Sequence, residues 1–298
     1  MRKILSLMLA VLMVATSVVM LASCGKSNKD FVAVDATDLI KEDFGIGVKK
    51  NSPELLAAVN KVVDAWVANG NMAKYEAYYT QLEDSQDGSV AAPEAGDLKV
   101  TWDFGTATEE ITVYTESGFA PFEFIHNGAV VGVDIAIMSQ VALDMGKKLK
   151  IEDIAFDTIP TALSSSTGLA VAAAGLTITE DRATQMDFSS VYYSSTLVVV
   201  SHKDKAFDSV ADLAGLKVGV QEGTSGDLII SAAKTDAGHS YEVEKDDGTK
   251  DTVVVKAAGA DVKQYKQYAL ALADLKAGRI DAILMDKLPA QTMLNAED

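Results

Sequence analysis

The stretch from Gly175 to Arg182, GLTITEDR, gathers residue types that can grip a small anion. A guanidinium is planar, always charged, and donates in a fork that matches a carboxylate, and the Thr177 hydroxyl adds a donor beside Arg182. An arginine in the first turn of a short helix can equally well pair with Glu180 or Asp187 at the surface. A second anion-binding feature is Gly223-Thr224-Ser225-Gly226, which follows an apolar run and opens a helical one. Thr224 is an N-cap, and the free N–H groups of a helix start attract negative charge. Asp286 closes the apolar run Ile280 to Met285. An acid at the carboxyl end of a parallel strand faces a ligand crevice, and an N-cap for a following helix is the equal alternative.

The elements that must position these residues alternate between strand and helix patterns. Phe31 to Val34 and Phe44 to Lys50 read as strands. Ser52-Pro53-Glu54 then starts a helix whose apolar face is Leu55, Leu56, Val59, Val62, Val63, Trp66 and Val67, and a shorter helix runs from Met72 to Leu82. Glu83 to Asp97, EDSQDGSVAAPEAGD, has no apolar period and reads as an exposed linker. Beyond it come a strand at Ile111 to Thr115, a loop at Gly118 to Phe124, and a helix from Asp134 to Gly146. A strand at Leu149 to Ile154, a helix at Ile159 to Ser165 and a strand at Leu169 to Leu176 complete that half. Val191 to Ser201 is a long apolar strand able to pass between domains. Leu216 to Val220 is a strand, Gly226 to Lys234 a helix, and Glu242 to Val255 a hairpin turning at Asp246-Asp247-Gly248-Thr249. Tyr265 to Lys276 is a helix closed by Gly278. The alternation predicts an α/β architecture with mostly parallel sheets.

The chain has 298 residues and a formal charge of −17, or −19 once Arg2 and Lys3 are removed with the leader. Such a field repels nucleic acid and anionic lipid, so neither is an expected partner. Residues 1–23 carry a basic start, an apolar run from Ile4 to Ala22 and small residues before Cys24, the pattern of an export signal. The tetrapeptide Leu21-Ala22-Ser23-Cys24 resembles a bacterial lipobox, in which the cysteine is lipidated and becomes the mature N-terminus; an uncleaved anchor is the alternative. Residues 24–30 would then be a short polar tether. Cys24 is the sole cysteine, and His126, His202 and His239 are scattered, so no thiolate chemistry, disulfide or metal site is expected. There is no GxSxG, HExxH, P-loop or GxGxxG.

Five motifs in order, SGFAPFEF (Ser117 to Phe124), VGVDIAI (Val131 to Ile137), GLTITEDR, VGVQEGTSG (Val218 to Gly226) and AGRIDAILMDKLPA (Ala277 to Ala290), resemble the polar amino-acid solute-binding proteins of ABC importers. The resemblance implies a two-lobed, type II periplasmic-binding-protein-like α/β fold that closes on its ligand. The order departs from the family: the segment resembling Glu42 to Tyr79 stands last there and near the start here. The chain therefore looks circularly permuted, with the linker joining the former ends. On that basis the large lobe is residues 44–194, and the small lobe is residues 31–43 with 195–298.

The resemblance further implies that Arg182 clamps the ligand α-carboxylate, helped by Thr177, Thr224 and Ser225. Asp286 and the Gly175 carbonyl take the α-ammonium, Phe119 and Phe156 sandwich the side chain, and Glu116 helps read it. Phe122 and Phe124 are core. The family's Gly-Lys-Ile-Asp is replaced by Thr167-Gly168-Leu169-Ala170, one residue out of step, and Ala174 stands where serine is frequent. The implied protein is a monomeric lipoprotein outside the cell, anchored to the membrane by its lipid alone. It needs no cofactor, captures a polar or charged L-amino acid by hinge closure and delivers it to an ABC permease. Two rivals share the fold: a cyclohexadienyl-type dehydratase and a sensory ligand-binding domain.

Overall fold

The computed structural model describes residues 28–244 and 250–296. The leader, Cys24 and the predicted hairpin turn Asp246-Asp247-Gly248-Thr249 lie outside the described residues. In chain order the strands and helices begin with β1 (Phe31–Asp35), β2 (Glu42–Phe44), β3 (Gly47–Lys49), α1 (Pro53–Ala68) and α2 (Asn71–Asp84). They continue with β4 (Glu110–Thr115), β5 (Gly118–Phe119), β6 (Glu123–His126), β7 (Ala129–Val131), α3 (Val133–Asp144) and β8 (Lys148–Asp153). Then follow α4 (Ile159–Ser165), β9 (Leu169–Ala172), α5 (Glu180–Gln185), β10 (Met186–Phe188), β11 (Tyr193–Ser195) and β12 (Leu197–His202). The last group is β13 (Lys217–Gln221), α6 (Ser225–Ala233), β14 (His239–Glu244), β15 (Lys250–Val255), β16 (Asp261–Tyr265), α7 (Tyr268–Lys276), β17 (Ala282–Asp286) and α8 (Lys287–Asn295).

Two five-stranded sheets organise these elements, one in the order β10-β3-β9-β4-β8 and the other β1-β12-β17-β13-β16. Neither is mostly parallel, contrary to the expectation from the alternation of elements. In the first, β4 is parallel to β8 and β9 while β3 is antiparallel to both of its neighbours. In the second, β13 is parallel to β16 and β17 while β12 is the reversed strand. The reason lies in the connections. The chain passes between the sheets through residues 36–46 and 189–196, and β2 and β11 in those crossings pair with each other, Tyr193 opposite Phe44 and Ser195 opposite Glu42. The strand that follows each crossing, β3 or β12, enters its sheet running away from the boundary. The other strands point their carboxyl ends toward it, so β4, β9, β13 and β17 all end beside the cleft between the sheets.

Several segments differ from expectation. Residues 118–131 form a small antiparallel sheet, β5-β6-β7, rather than a loop. Residues 261–265 add a strand beside β13, so the helix predicted from Tyr265 begins at Tyr268. The long strand expected from Val191 breaks at Thr196, between β11 and β12, because it serves two different sheets. The strand from Leu169 ends at Ala172. Residues 85–109 hold no helix or strand, an irregular connection longer than the predicted linker. Residues 28–30, expected in the tether, form a 3-10 turn whose Asn28 is buried and donates through Nδ2 to Ala296 O at 2.5 Å.

α1 forms where proline at its first position costs no hydrogen bond, although the Ser52 side chain makes no cap bond. Its buried face is Leu55, Val59, Val62, Val63 and Trp66, of which Leu55, Val59 and Val63 are fully covered. Burying each such side chain is worth about 1.5–3 kcal/mol, which is what fixes the helix on its neighbours. Trp66 stacks on Tyr75 of α2, ring centroids 4.2 Å apart. Phe44 of the crossing is wholly buried against Phe119, Phe122, Tyr192 and Tyr193, so the crossing is anchored to the wall of the cleft.

Candidate functional site

Every ligand-contact position expected from the sequence lines one cavity at the carboxyl ends of the strands: Glu116, Phe119, Phe156, Gly175, Thr177, Arg182, Thr224, Ser225 and Asp286, joined by Ala174 and Gln221. Glu116 follows β4 and the Ala174–Thr177 turn follows β9 on one side; Gln221 ends β13 and Asp286 ends β17 on the other. The closeness of approach requires glycine at 175, where φ is +53° and a Cβ would lie 2.5 Å from the Phe119 ring.

Arg182 does not pair with Glu180 or Asp187. Asp187 takes Lys50 at 2.7 Å. The arginine is buried, its Nη1 donating to Thr177 O at 2.8 Å and its Nη2 to Gly223 O at 3.0 Å, with the Phe156 ring 5.5 Å from the guanidinium carbon. Thr179 caps α5 by accepting from the Arg182 N–H at 3.2 Å, which sets the angle at which the side chain leaves the helix. Burial pulls the Arg182 pKa down, and Glu42 and Asp286 oppose that pull. Thr224 caps α6 by accepting from Asp227 N–H at 3.3 Å, as its position predicted.

Asp286 occupies the N-cap position of α8 but makes no side-chain cap bond. Its carboxylate is buried, and Oδ1 has no hydrogen-bond partner among the described residues. Burial, and then the neighbouring Glu42 charge, raise its pKa, while Ser195 and Arg182 pull the other way. An orphaned buried carboxylate oxygen is costly and requires a donor. Glu116 is better provided: Gln221 Nε2 reaches Oε2 at 2.7 Å and Gln267 Nε2 reaches Oε1 at 2.8 Å. Burial nevertheless raises its pKa.

Two participants escaped the sequence reading. Gln221 was visible as the residue before a Gly-containing helix-opening loop, a position that faces the cleft at a strand end. Glu42, on the crossing strand, carried no local signal. Its Oε2 accepts from Ser225 Oγ at 2.6 Å and from Thr177 Oγ1 at 3.2 Å. Burial raises its pKa; the two hydroxyls and Arg182 act in the opposite direction. Phe122 and Phe124 are buried core residues, as expected.

The site thus sets two buried carboxylates, Glu116 and Asp286, and the half-buried Glu42 against a single buried guanidinium, Arg182. Among the described residues no cluster of three or more His, Cys, Asp or Glu is arranged to hold a metal ion. No helix among them is long and apolar enough to cross a membrane.

The family of bacterial extracellular solute-binding proteins, family 3, matches residues 111–284, more than half of the chain. The chain belongs to that family. It is 34% identical over 116 residues to the arginine-binding extracellular protein ArtP of Bacillus subtilis (strain 168), a match covering 39% of this chain and 45% of that protein. It is 29% identical over 191 residues to ABC transporter arginine-binding protein 1 of Escherichia coli (strain K12), covering 63% of this chain and 68% of that one. The arginine-bound form of truncated ArgBP from T. maritima superposes with a TM-score of 0.52 at 31% identity, over 62% of this chain and 77% of that chain. The two-lobed α/β architecture of the family is therefore this chain's own fold, with one of the two sheets in each lobe.

Proposed function

We propose that the protein captures a free cationic L-amino acid outside the cell, of the arginine type, and passes it to an ABC permease. The observation that carries this reading is the pair of opposed groups in one cavity: the Arg182 fork, and the partnerless Oδ1 of Asp286. A zwitterion satisfies both, its carboxylate on Arg182 with the Thr177, Thr224 and Ser225 hydroxyls, its ammonium on Asp286 and the Gly175 carbonyl. The excess of buried acid over base then favours a further positive charge on the side chain, with Glu116 placed to meet it. Phe119 and Phe156 form the apolar walls. Relatives from Bacillus subtilis and Escherichia coli are named for arginine, which supports the same ligand class.

The cavity as it stands is about 10 Å³, the space of a single water, so an amino acid enters only when the lobes part along the paired crossings β2 and β11. Ligand contacts to both lobes favour the closed form. The family context supports binding and delivery rather than turnover, and a location beyond the cytoplasmic membrane. We assign residues 44–194 to the large lobe and 31–43 with 195–298 to the small one, and Cys24 to a lipid anchor that holds the monomer at the membrane.

We also read the chain as circularly permuted. The family match begins at residue 111, yet β3 and α1, which resemble the family's last segment, fill an interior place in the first sheet and a place against α3. The bond from Asn28 to Ala296 brings the two ends of the described chain together in support of this reading. Moving residues 28–97 behind residue 298 is expected to give a folded protein of the same affinity, because Asn28 already lies against Ala296; a variant that folds but loses the ligand overturns the permutation.

The functional test is isothermal titration of the mature protein with arginine, lysine, histidine, glutamine and glutamate. Binding of the cationic amino acids with rejection of glutamate is the expected result. Preference for an acidic or apolar amino acid, or no binding, overturns the reading.

A further inference from the structure

Glu42 sits where the sequence left no role for a carboxylate. It lies on the crossing strand β2, directly opposite Ser195, and one of its oxygens holds two hydroxyls that belong to different lobes: Thr177 beyond β9 and Ser225 at the start of α6. Those hydroxyls, with Arg182 nearby, are the donors that the proposed clamp offers to a ligand carboxylate. Glu42 already supplies a carboxylate to them. On its other side Glu42 lines an open crevice of about 640 Å³ whose walls include the apolar side chains of Ile40, Val191 and Leu228. Thr177 and Ser225 line both this crevice and the small cavity, so Glu42 stands at the partition between the two. Its side chain can leave the clamp by rotating into open space rather than into packed core.

The geometry points to Glu42 as a built-in competitor for the ligand carboxylate: it latches Thr177 to Ser225 across the cleft, and binding replaces it by displacing the side chain into the crevice. This rests on the assignment of Arg182, Thr177 and Ser225 as an amino-acid carboxylate clamp. Two consequences separate a competitor from a passive structural acid or a direct ligand contact. Removing the competitor tightens binding, whereas removing a contact weakens it. Removing the latch also loosens the contact between lobes when no amino acid is supplied.

The test uses the mature wild-type chain, Glu42→Gln, which keeps the shape, and Glu42→Ala, which removes the acceptor. Each is titrated with L-arginine by calorimetry, and its radius of gyration in amino-acid-free buffer is measured by small-angle scattering, with circular dichroism confirming the fold. Both variants are expected to bind about tenfold tighter, the order of one hydrogen bond to a charged group. Glu42→Ala is also expected to show the larger radius. Unchanged or weaker binding in both variants overturns the proposal. If the wild type binds no amino acid, the functional reading fails on its own. The scattering then decides the latch: equal radii overturn it, and a larger radius for Glu42→Ala supports it.

Discussion

Gln221 Nε2 donates to Glu116 Oε2 at 2.7 Å, tying the end of β13 in one lobe to the segment after β4 in the other. Gln267 holds the second oxygen of the same carboxylate, and Lys266 beside it reaches Asp157 at 3.0 Å. Glu116 is therefore part of the cleft's closure as well as the acid we propose meets a ligand side chain. Replacing it with glutamine keeps the size but removes the charge. The expected result is a ten- to hundredfold loss of affinity for arginine, about 1.5–3 kcal/mol, with little change for glutamine. Parallel titrations with the two amino acids check this; equal losses for both would show that Glu116 only closes the cleft.

Arg182 is a buried cation whose charge acts on Glu42 and Asp286, and removing it leaves both without that compensation. Arg182→Ala is expected to lower affinity by more than a hundredfold, on the scale of about 3–5 kcal/mol for leaving a ligand carboxylate buried without its countercharge. Arg182→Lys keeps the charge without the fork and should recover only part of that loss. Calorimetry on all three proteins measures the difference.

Asp286 carries a pKa raised to about 8, mainly by burial, so most molecules hold a proton there at neutral pH. A ligand ammonium favours the ionised carboxylate and lowers that pKa again, so binding releases protons. Titration in buffers of different ionisation enthalpy should give a proton release that Asp286→Asn reduces. Proton uptake on binding would contradict the assigned ammonium site.

Behind the cleft, Asp134 of α3 accepts from the Gly175 N–H at 3.0 Å and thereby fixes the turn that lines the cavity. Its carboxyl is fully buried, and burial raises the pKa to about 7 against the opposing hydrogen bond from Gly175. A folded-state pKa above the unfolded value of 3.8 favours folding below that value, and the contribution is lost as pH rises through about 7. Glu123, Glu116 and Glu42 are shifted in the same direction by burial. The melting temperature is expected to rise from pH 8 to pH 5, and Asp134→Asn, an acceptor without the charge, should flatten part of that rise. Thermal denaturation across this range tests both statements.

Gly132 precedes α3 with φ +136°, and a Cβ there would meet Phe122 O at 2.1 Å. Gly132→Ala should lower stability by at least about 1–3 kcal/mol, because backbone rather than a flexible side chain has to give way. Chemical denaturation measures it, and a neutral result would mean that the turn relaxes.

The sequence by itself determined most of the helices and strands, and singled out residues that the structure gathers around one cavity. Arg182, Thr224 and Asp286 were legible because each stands at a helix start or a strand end, and Thr177 because it stands in the short run before Arg182, patterns whose geometry is set within a few residues. The reversed strands β3 and β12, the added strand β16 and the small sheet around Phe119 were not legible. Short segments of that kind take their partner and direction from chain far away, and their own periodicity is silent on it. Glu42 shows the same limit most plainly: nothing around it marks a functional acid. Only the pairing of β2 with β11 carries it between two lobes, onto hydroxyls 135 and 183 residues distant along the chain. Burial there, with Arg182 and Asp286 as neighbours, turns an ordinary surface residue type into part of the site's charge balance, and burial is decided by the tertiary packing.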